Sequence, residues 1–168
     1  MTASKVVLAL GDDVSTDVIY PGRYMATVLP SETPQYAFAD LGPFNTALTS
    51  GKVAAGSAVV AGKNFGCGSS REQAVSTLKG HELVILASSF ARIFLQNAIN
   101  LGLRLIEVPG VAASEGDQLA IGGEEVINLA TGRRYPIRPL PAARQAIIDA
   151  GGLIPYTRRR LLERSAGR

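Results

Sequence analysis

The residues best suited to chemistry lie in one stretch, Gly62–Ala74, which reads GKNFGCGSSREQA. It combines close-set glycines, two serines, an arginine and a glutamate with the chain's single cysteine, Cys67. A core strand would not carry so many glycines, and a plain linker has no use for Arg71. Ser69 with Glu72, or Ser70 with Gln73, fits the S-x-x-E/Q capping box at a helix start. The same start can serve as an anion site. Unpaired N–H groups and a partial positive charge gather at a helix N-terminus. Glycines let a ligand approach the backbone, and a guanidinium forms a planar fork for a carboxylate. Capping and anion binding both remain open from the sequence, as does the choice between Ser69 and Ser70 as the cap. A nucleotide site is disfavoured, because the spacing is not that of a phosphate loop and Arg71 stands where G-x-G-x-x-G needs its last glycine.

Cys67 alone cannot hold an iron–sulfur cluster, which takes several thiolates. The single histidine, His81, reads as a helix-end residue rather than a partner for Cys67. A second polar cluster, GDDVSTDVIYPGRY (Gly11–Tyr24), carries Asp12, Asp13, Asp17, Arg23 and Tyr24. Acidic residues after a strand make turns, so local ion pairing in a turn is expected there. A third segment, SSFARIFLQNAINLGL from Ser88, reads as an amphipathic helix. Phe90, Ile93, Phe94, Ala98 and Leu101 form its expected buried stripe, and Arg92, Gln96, Asn97 and Asn100 its solvent side.

Positioning these groups requires alternating strands and helices. Val6–Leu10, SAVVAG (from Ser57), ELVILAS (from Glu82) and LRLIEV (from Leu103) read as strands, the third continuous enough to be buried on both faces. Asp117–Ile137 reads as a meander with turns at Gly122-Gly123 and Thr131-Gly132. Helices fit Ser69–Lys79, Ser88–Leu101, Pro141–Ala150 and Thr157–Ser165, with Gly80, Gly102 and Gly151 as helix-ending glycines. Residues 26–50, with Pro30, Pro34 and Pro43, read as a long loop or one holding a short helix. The bulk numbers agree with a single α/β domain spanning residues 1–168. The chain is 46% apolar and only 18% charged, with a net charge of +3. Much of that excess sits at Arg158, Arg159, Arg160, Arg164 and Arg168, a pattern of a solvated helix end rather than a nucleic-acid surface. No apolar run reaches membrane-spanning length and no signal peptide is evident. With one cysteine, these features point to the cytoplasm.

Four blocks in order, STDVIYPGRY, GKNFGCGSSREQA, SSFARIFLQNAINLGL and AGGLIPY, make the chain resemble the small subunits of 3-isopropylmalate dehydratases, themselves similar to the swivelling domain of aconitase. The resemblance covers nearly the whole chain. It implies an aconitase-type swivelling β/β/α domain with a mixed, barrel-like sheet and flanking helices. It also implies a separate large subunit carrying a [4Fe–4S] cluster, whose open iron would act as a Lewis acid on a leaving hydroxyl. The reaction implied is isomerisation of a hydroxy-diacid by dehydration and rehydration. Ser69 would then be the base that removes a carbon-bound proton, Ser70 and Arg71 would bind substrate carboxylate, and Asp17 would support the site. The loop around Arg23 and Tyr24 would discriminate between substrates. Met25 and Ala26 add no positive charge there, which favours an alkyl-substituted malate, isopropylmalate before dimethylmalate, over a tricarboxylate such as homocitrate. A non-catalytic carboxylate-binding module is the competing reading from another class.

Overall fold

The computed structural model describes residues 1–166. Among them, seven strands form one mixed sheet in the order β4-β3-β2-β1-β5-β6-β7. The strands are β1 (Thr2–Ala9), β2 (Ala58–Ala61), β3 (Val84–Ala87), β4 (Leu105–Glu107), β5 (Gln118–Ile121), β6 (Glu125–Asn128) and β7 (Arg134–Pro136). β1 through β4 are joined in parallel, whereas β5 pairs antiparallel with β1 and continues antiparallel through β6 to β7. Beyond β7, Arg138 bridges to Glu107 at the end of β4, with Arg138 N–H donating to the Glu107 carbonyl at 2.8 Å. This single bridge links the end of β4 to the segment just past β7, in keeping with the expected barrel-like sheet.

β1 begins four residues before the predicted Val6. Thr2–Lys5 lack an apolar run, but they pair residue by residue with Gln118–Ile121. The buried Ser4 is satisfied by donating to the Gly56 carbonyl at 2.5 Å. β2 and β3 are buried throughout. Their alternate residues enter two cores, Val59, Ala61, Ile85 and Ala87 on one face and Ala58, Val60, Val84 and Leu86 on the other, as the twofold strand period requires. A register shift in β1 between Val6 and Leu8 interrupts that period. Val6 therefore joins one core and Leu8 the other.

The helices are α1 (Thr16–Ile19), α2 (Gly42–Thr49), α3 (Glu72–Gly80), α4 (Arg92–Leu101), α5 (Ala142–Asp149) and α6 (Leu153–Ala166). Residues 26–50 hold α2 and a 3-10 turn, Thr33–Tyr36, the second of the two forms expected. α3 starts at Glu72 rather than Ser69, and its N-cap is Arg71 with no side-chain cap bond. Neither serine closes a capping box. α4 likewise starts at Arg92 rather than Ser88, because Ser88 and Ser89 extend the β3 edge: the Ser88 N–H donates to Gly62 O, and Ser89 O accepts from Phe65 N. In α4, Phe94, Ala98 and Ile99 are the buried residues, while Ile93 is 54% exposed. The expected stripe is thus rotated.

Gly102 and Gly151 end helices with φ of 72° and 87°, as expected. Gly80 also ends its helix, as the last residue of α3, but without a left-handed backbone; a Cβ there would lie 2.3 Å from Pro34 Cγ, so close approach explains the glycine. α6 starts upstream of Thr157. Arg158, Arg159, Arg160 and Arg164 are exposed on it, and Arg168 lies outside the described residues. Among the described residues, no helix is long and apolar enough to cross a membrane.

Candidate active site

The segments that follow β1, β2 and β3 leave three adjacent parallel strands at the same end of the sheet. In open parallel sheets, the carboxyl ends of the strands are where ligand crevices form. The loop after β1 is Gly11–Ser15, leading into α1. The loop after β2 is Gly62–Arg71, leading into α3. The loop after β3 is Ser88–Ala91, leading into α4.

The first two loops are sewn together along their length. Lys63 N donates to Asp12 Oδ1 at 2.7 Å, and Asp13 N to Lys63 O at 2.8 Å. Asn64 Nδ2 donates to Asp13 Oδ1 at 2.7 Å, Gly66 N to Val14 O at 2.8 Å, and Thr16 N to Cys67 O at 2.8 Å. The buried Thr16 hydroxyl donates to Ser69 O at 2.8 Å. The acidic cluster is therefore not a turn with local ion pairing. Its carboxylates reach more than fifty residues along the chain, because β1 and β2 are neighbours and their exits must run side by side.

Gly66 sits at this junction with φ of 82°, and a Cβ would lie 2.2 Å from Phe94 Cγ. Both the left-handed backbone and the contact with α4 require glycine. Phe94 in turn stacks on Phe90 with centroids 6.4 Å apart and meets Phe65 edge-on at 5.3 Å, so the third loop is locked against the second.

This scaffold presents Ser69 and Ser70 exposed, immediately before Arg71. The Arg71 side chain is only 10% exposed. Its Nη1 donates to Asp17 Oδ1 and, at 3.1 Å, to the Tyr20 carbonyl. Nε is buried without a hydrogen-bond partner among the described residues. Asp17 also accepts the Gly22 N–H at 3.2 Å. The Arg71 hydrogen bond, with help from Gly22, holds the Asp17 carboxyl below its ordinary value. α1 is fixed by Ser15, whose hydroxyl caps it by accepting the Asp17 N–H at 3.0 Å. S-T-D is a recognisable N-cap pattern.

Arg23, Tyr24, Met25 and Ala26 lie on the 3-10 turn Gly22–Tyr24 and just beyond it. Arg23 grips Asp40 with both nitrogens, at 2.5 and 3.2 Å, and lies over the Tyr24 ring at 4.6 Å. Tyr24 stacks on Tyr36 with centroids 4.1 Å apart. The turn connects to the serines indirectly, through Gly22 with Asp17 and through Gln73 Nε2, which donates to Met25 O at 3.4 Å. None of these four residues lines the cleft beside Ser69.

That cleft has a volume of about 760 Å³. Ser69, Ser70, Arg71, Cys67 and Asn64 form one wall; Arg92, Ile93, Gln96 and Asn97 form another; Arg144 of α5 joins them. None of its lining residues is acidic, so three guanidinium groups set its polarity. Arg92, Gln96, Asn97 and Arg144 line the cleft, although the sequence reading gave them no part in it. Their only signal was a polar face on a helix, and periodicity shows which side leaves the core without showing what meets that side.

Cys67 turns its Sγ to the Asp13 carbonyl at 3.3 Å, and no group of three or more His, Cys, Asp or Glu side chains converges among the described residues. His81 Nε2 lies 2.8 Å from Pro34 O at the far end of α3, so it does not pair with Cys67.

Comparison with known proteins matches residues 39–110 to the aconitase C-terminal domain family. The chain is 44% identical over 156 residues to the 3-isopropylmalate dehydratase small subunit of Moorella thermoacetica, covering 90% of this chain and 92% of that protein. It is 43% identical over 162 residues to the isopropylmalate/citramalate isomerase small subunit of Methanocaldococcus jannaschii, covering 94% of each. The crystal structure of 3-isopropylmalate dehydratase from M. jannaschii superposes with a TM-score of 0.88 at 36% identity, covering 99% of this chain and 98% of that one. With the mixed seven-stranded sheet and the G-S-S-R-E loop at the carboxyl end of its parallel strands, this similarity shows that the chain belongs to the 3-isopropylmalate dehydratase small-subunit family, with the fold of the aconitase C-terminal domain.

Proposed function

We propose that this chain is the small subunit of a hydro-lyase that interconverts 2-isopropylmalate and 3-isopropylmalate by dehydration and rehydration, the isomerisation step of leucine biosynthesis. The observation that carries this reading is the meeting of Ser69, Ser70 and Arg71 in an arginine-lined cleft free of acidic lining residues, in a chain of this family. The substrate is a dianion with an alkyl branch. Removing a proton from one carbon and the hydroxyl from its neighbour gives an unsaturated diacid. Returning water with the positions exchanged completes the isomerisation.

In this reading, Ser69 takes the carbon-bound proton at its Oγ. A serine hydroxyl is a weak base until its oxyanion is stabilised by donors and positive charge. α3 begins three residues later than Ser69, so the stabilising field comes from Arg71 and the neighbouring guanidinium groups together with the helix start. Ser70 and Arg71 receive a carboxylate. The unpartnered Nε of Arg71 supports this role, since buried donors without a partner are uncommon and an anionic oxygen would satisfy it. Asp17 and the Tyr20 carbonyl hold the guanidinium in position.

A large subunit would hold the [4Fe–4S] cluster and with it supply the Lewis acid for the leaving hydroxyl, since this chain has one cysteine and, among the described residues, no convergent ligand set. The free thiol also fits a reducing compartment, the cytoplasm.

The test is reconstitution. The isolated chain, purified anaerobically, should contain no iron and leave 2-isopropylmalate unchanged, and addition of the large subunit should give turnover. Turnover by the isolated chain would overturn the two-subunit reading. Dicarboxylate binding without turnover in the pair would favour the carboxylate-binding module.

A further inference from the structure

α6 is fixed at its root and bare along its length. Gly152, just before it, is buried, and a Cβ there would lie 2.7 Å from the Asn100 carbonyl oxygen of α4. Lys79 Nζ donates to Gly151 O at 3.0 Å beside it. Beyond this root, none of the 14 residues of Leu153–Ala166 is buried. Leu153, Ile154, Leu161 and Leu162 are 41, 74, 57 and 66% exposed. With Thr157 and Ser165 they share one side of the helix, as spacings of four and eight residues place them. Arg158 and Arg164 flank this stripe, and among the described residues neither is ion-paired. Arg160 turns back instead, its Nη1 donating to the Tyr156 hydroxyl at 3.3 Å. A helix of this length is marginal in water without tertiary packing, and most of this one has none.

We propose that α6 is a docking element for the large subunit, its leucine stripe seated in an apolar groove rimmed by carboxylates. The proposal rests on the two-subunit reading above. Charge argues for this occupant and against a second copy of the chain. α6 carries Arg158, Arg159, Arg160 and Arg164 against one acid, Glu163, so a twofold pairing of the helix with itself sets arginine against arginine. Area argues the same way. A stable dimer takes about 800 Å² from each partner, whereas a stripe about 21 Å long and about 10 Å wide offers about 200 Å². As part of a wider interface the stripe needs no more than that. The large subunit has a wider one to cover, because α6 packs on α4 and α5, whose first turns carry Arg92 and Arg144 to the cleft.

The experiment measures binding of the full chain to the large subunit by surface plasmon resonance, and kcat on 2-isopropylmalate at saturating large subunit. Wild type is compared with Leu161→Gln/Leu162→Gln and with Arg158→Gln/Arg164→Gln, and urea midpoints confirm that each folds. Because both leucines are exposed, their replacement should leave the midpoint nearly unchanged. Losing their apolar contact should raise Kd about tenfold. Saturating kcat should stay at the wild-type value, since neither side chain lines the cleft. The arginine variant should slow association about threefold and flatten its salt dependence. An unchanged Kd in the leucine variant would overturn the proposal and leave the functional reading intact. Dimerisation of the isolated wild-type chain in sedimentation, lost in the leucine variant, would assign the stripe to a second copy and overturn the proposal as well. Leucine-dependent binding of the isolated chain to phosphatidylglycerol vesicles would assign it to a lipid surface, with the same consequence. A wild-type chain that binds no large subunit would overturn the two-subunit reading, and the role of α6 with it.

Discussion

The two halves of the sheet are built from different kinds of strand pairing, parallel and antiparallel, and do different work. On the parallel side, β1, β2 and β3 end together, and the three loops that leave them are bonded into one rim carrying Ser69, Ser70, Arg71 and Asp17. On the antiparallel side, β5, β6 and β7 are joined by tight turns at Gly122-Gly123 and Thr131-Gly132, whose glycines face mostly open space. Parallel strands need long crossovers, so their exits are free to carry side chains away from the sheet. Hairpins consume their connections in turning. At the rim, Gly62 and Gly66 are hemmed in by Asp12 and Phe94, whereas in the meander Gly132, at φ of 71°, is constrained by backbone angle alone.

Alanine at matched glycines sharpens that contrast. Gly66→Ala must place a methyl into the Phe94 ring and hold a left-handed backbone, so it should destabilise the chain by about 4 kcal/mol, the sum of overpacking and backbone strain. Arg71→Lys comes next. It keeps the charge but loses the fork that Asp17 and the Tyr20 carbonyl hold, and should lower kcat/KM by about a hundredfold, mainly through KM. Gly132→Ala, at φ of 71° with nothing within 4 Å of its new Cβ, should cost about 1 kcal/mol. Equal urea midpoints for the two glycine variants would break the comparison.

The smallest effect is expected from Asp17→Asn. The folded state holds this carboxyl below its ordinary value of 3.8. Its stabilisation is therefore present above that value and is lost as pH falls through the lower folded value. Wild type should be slightly more stable than Asp17→Asn at neutral pH, and their unfolding curves should converge in acid. The carboxylate is 60% exposed, so solvent screening keeps the difference small. A gap that persists at low pH would show that the Asp17–Arg71 pair is not its source.

Much of the fold was legible because burial leaves continuous apolar runs: β2 and β3 stand out at once, and the meander follows from its Gly-Gly and Thr-Gly turns. The first half of β1 was not, since Thr2–Lys5 become a strand only when β5 lies beside them. The chemistry-bearing stretch was recognisable from residue types at Gly62–Ala74, but the capping-box pattern misplaced the helix start. The serines are held out by the Thr16 bond to Ser69 O, a contact 53 residues away in sequence. Arg92, Ile93 and Asn97 were assigned by helical period to solvent or core. The cleft that claims them exists only where three strand exits converge.

The central claim is that Ser69 works as the proton acceptor on this rim. Its most direct test is Ser69→Ala in the pair reconstituted with the large subunit, assayed on 2-isopropylmalate beside a urea unfolding curve. The side chain is exposed and caps no helix, so the unfolding midpoint should match wild type while turnover disappears. Near-normal turnover in the folded variant would contradict the account.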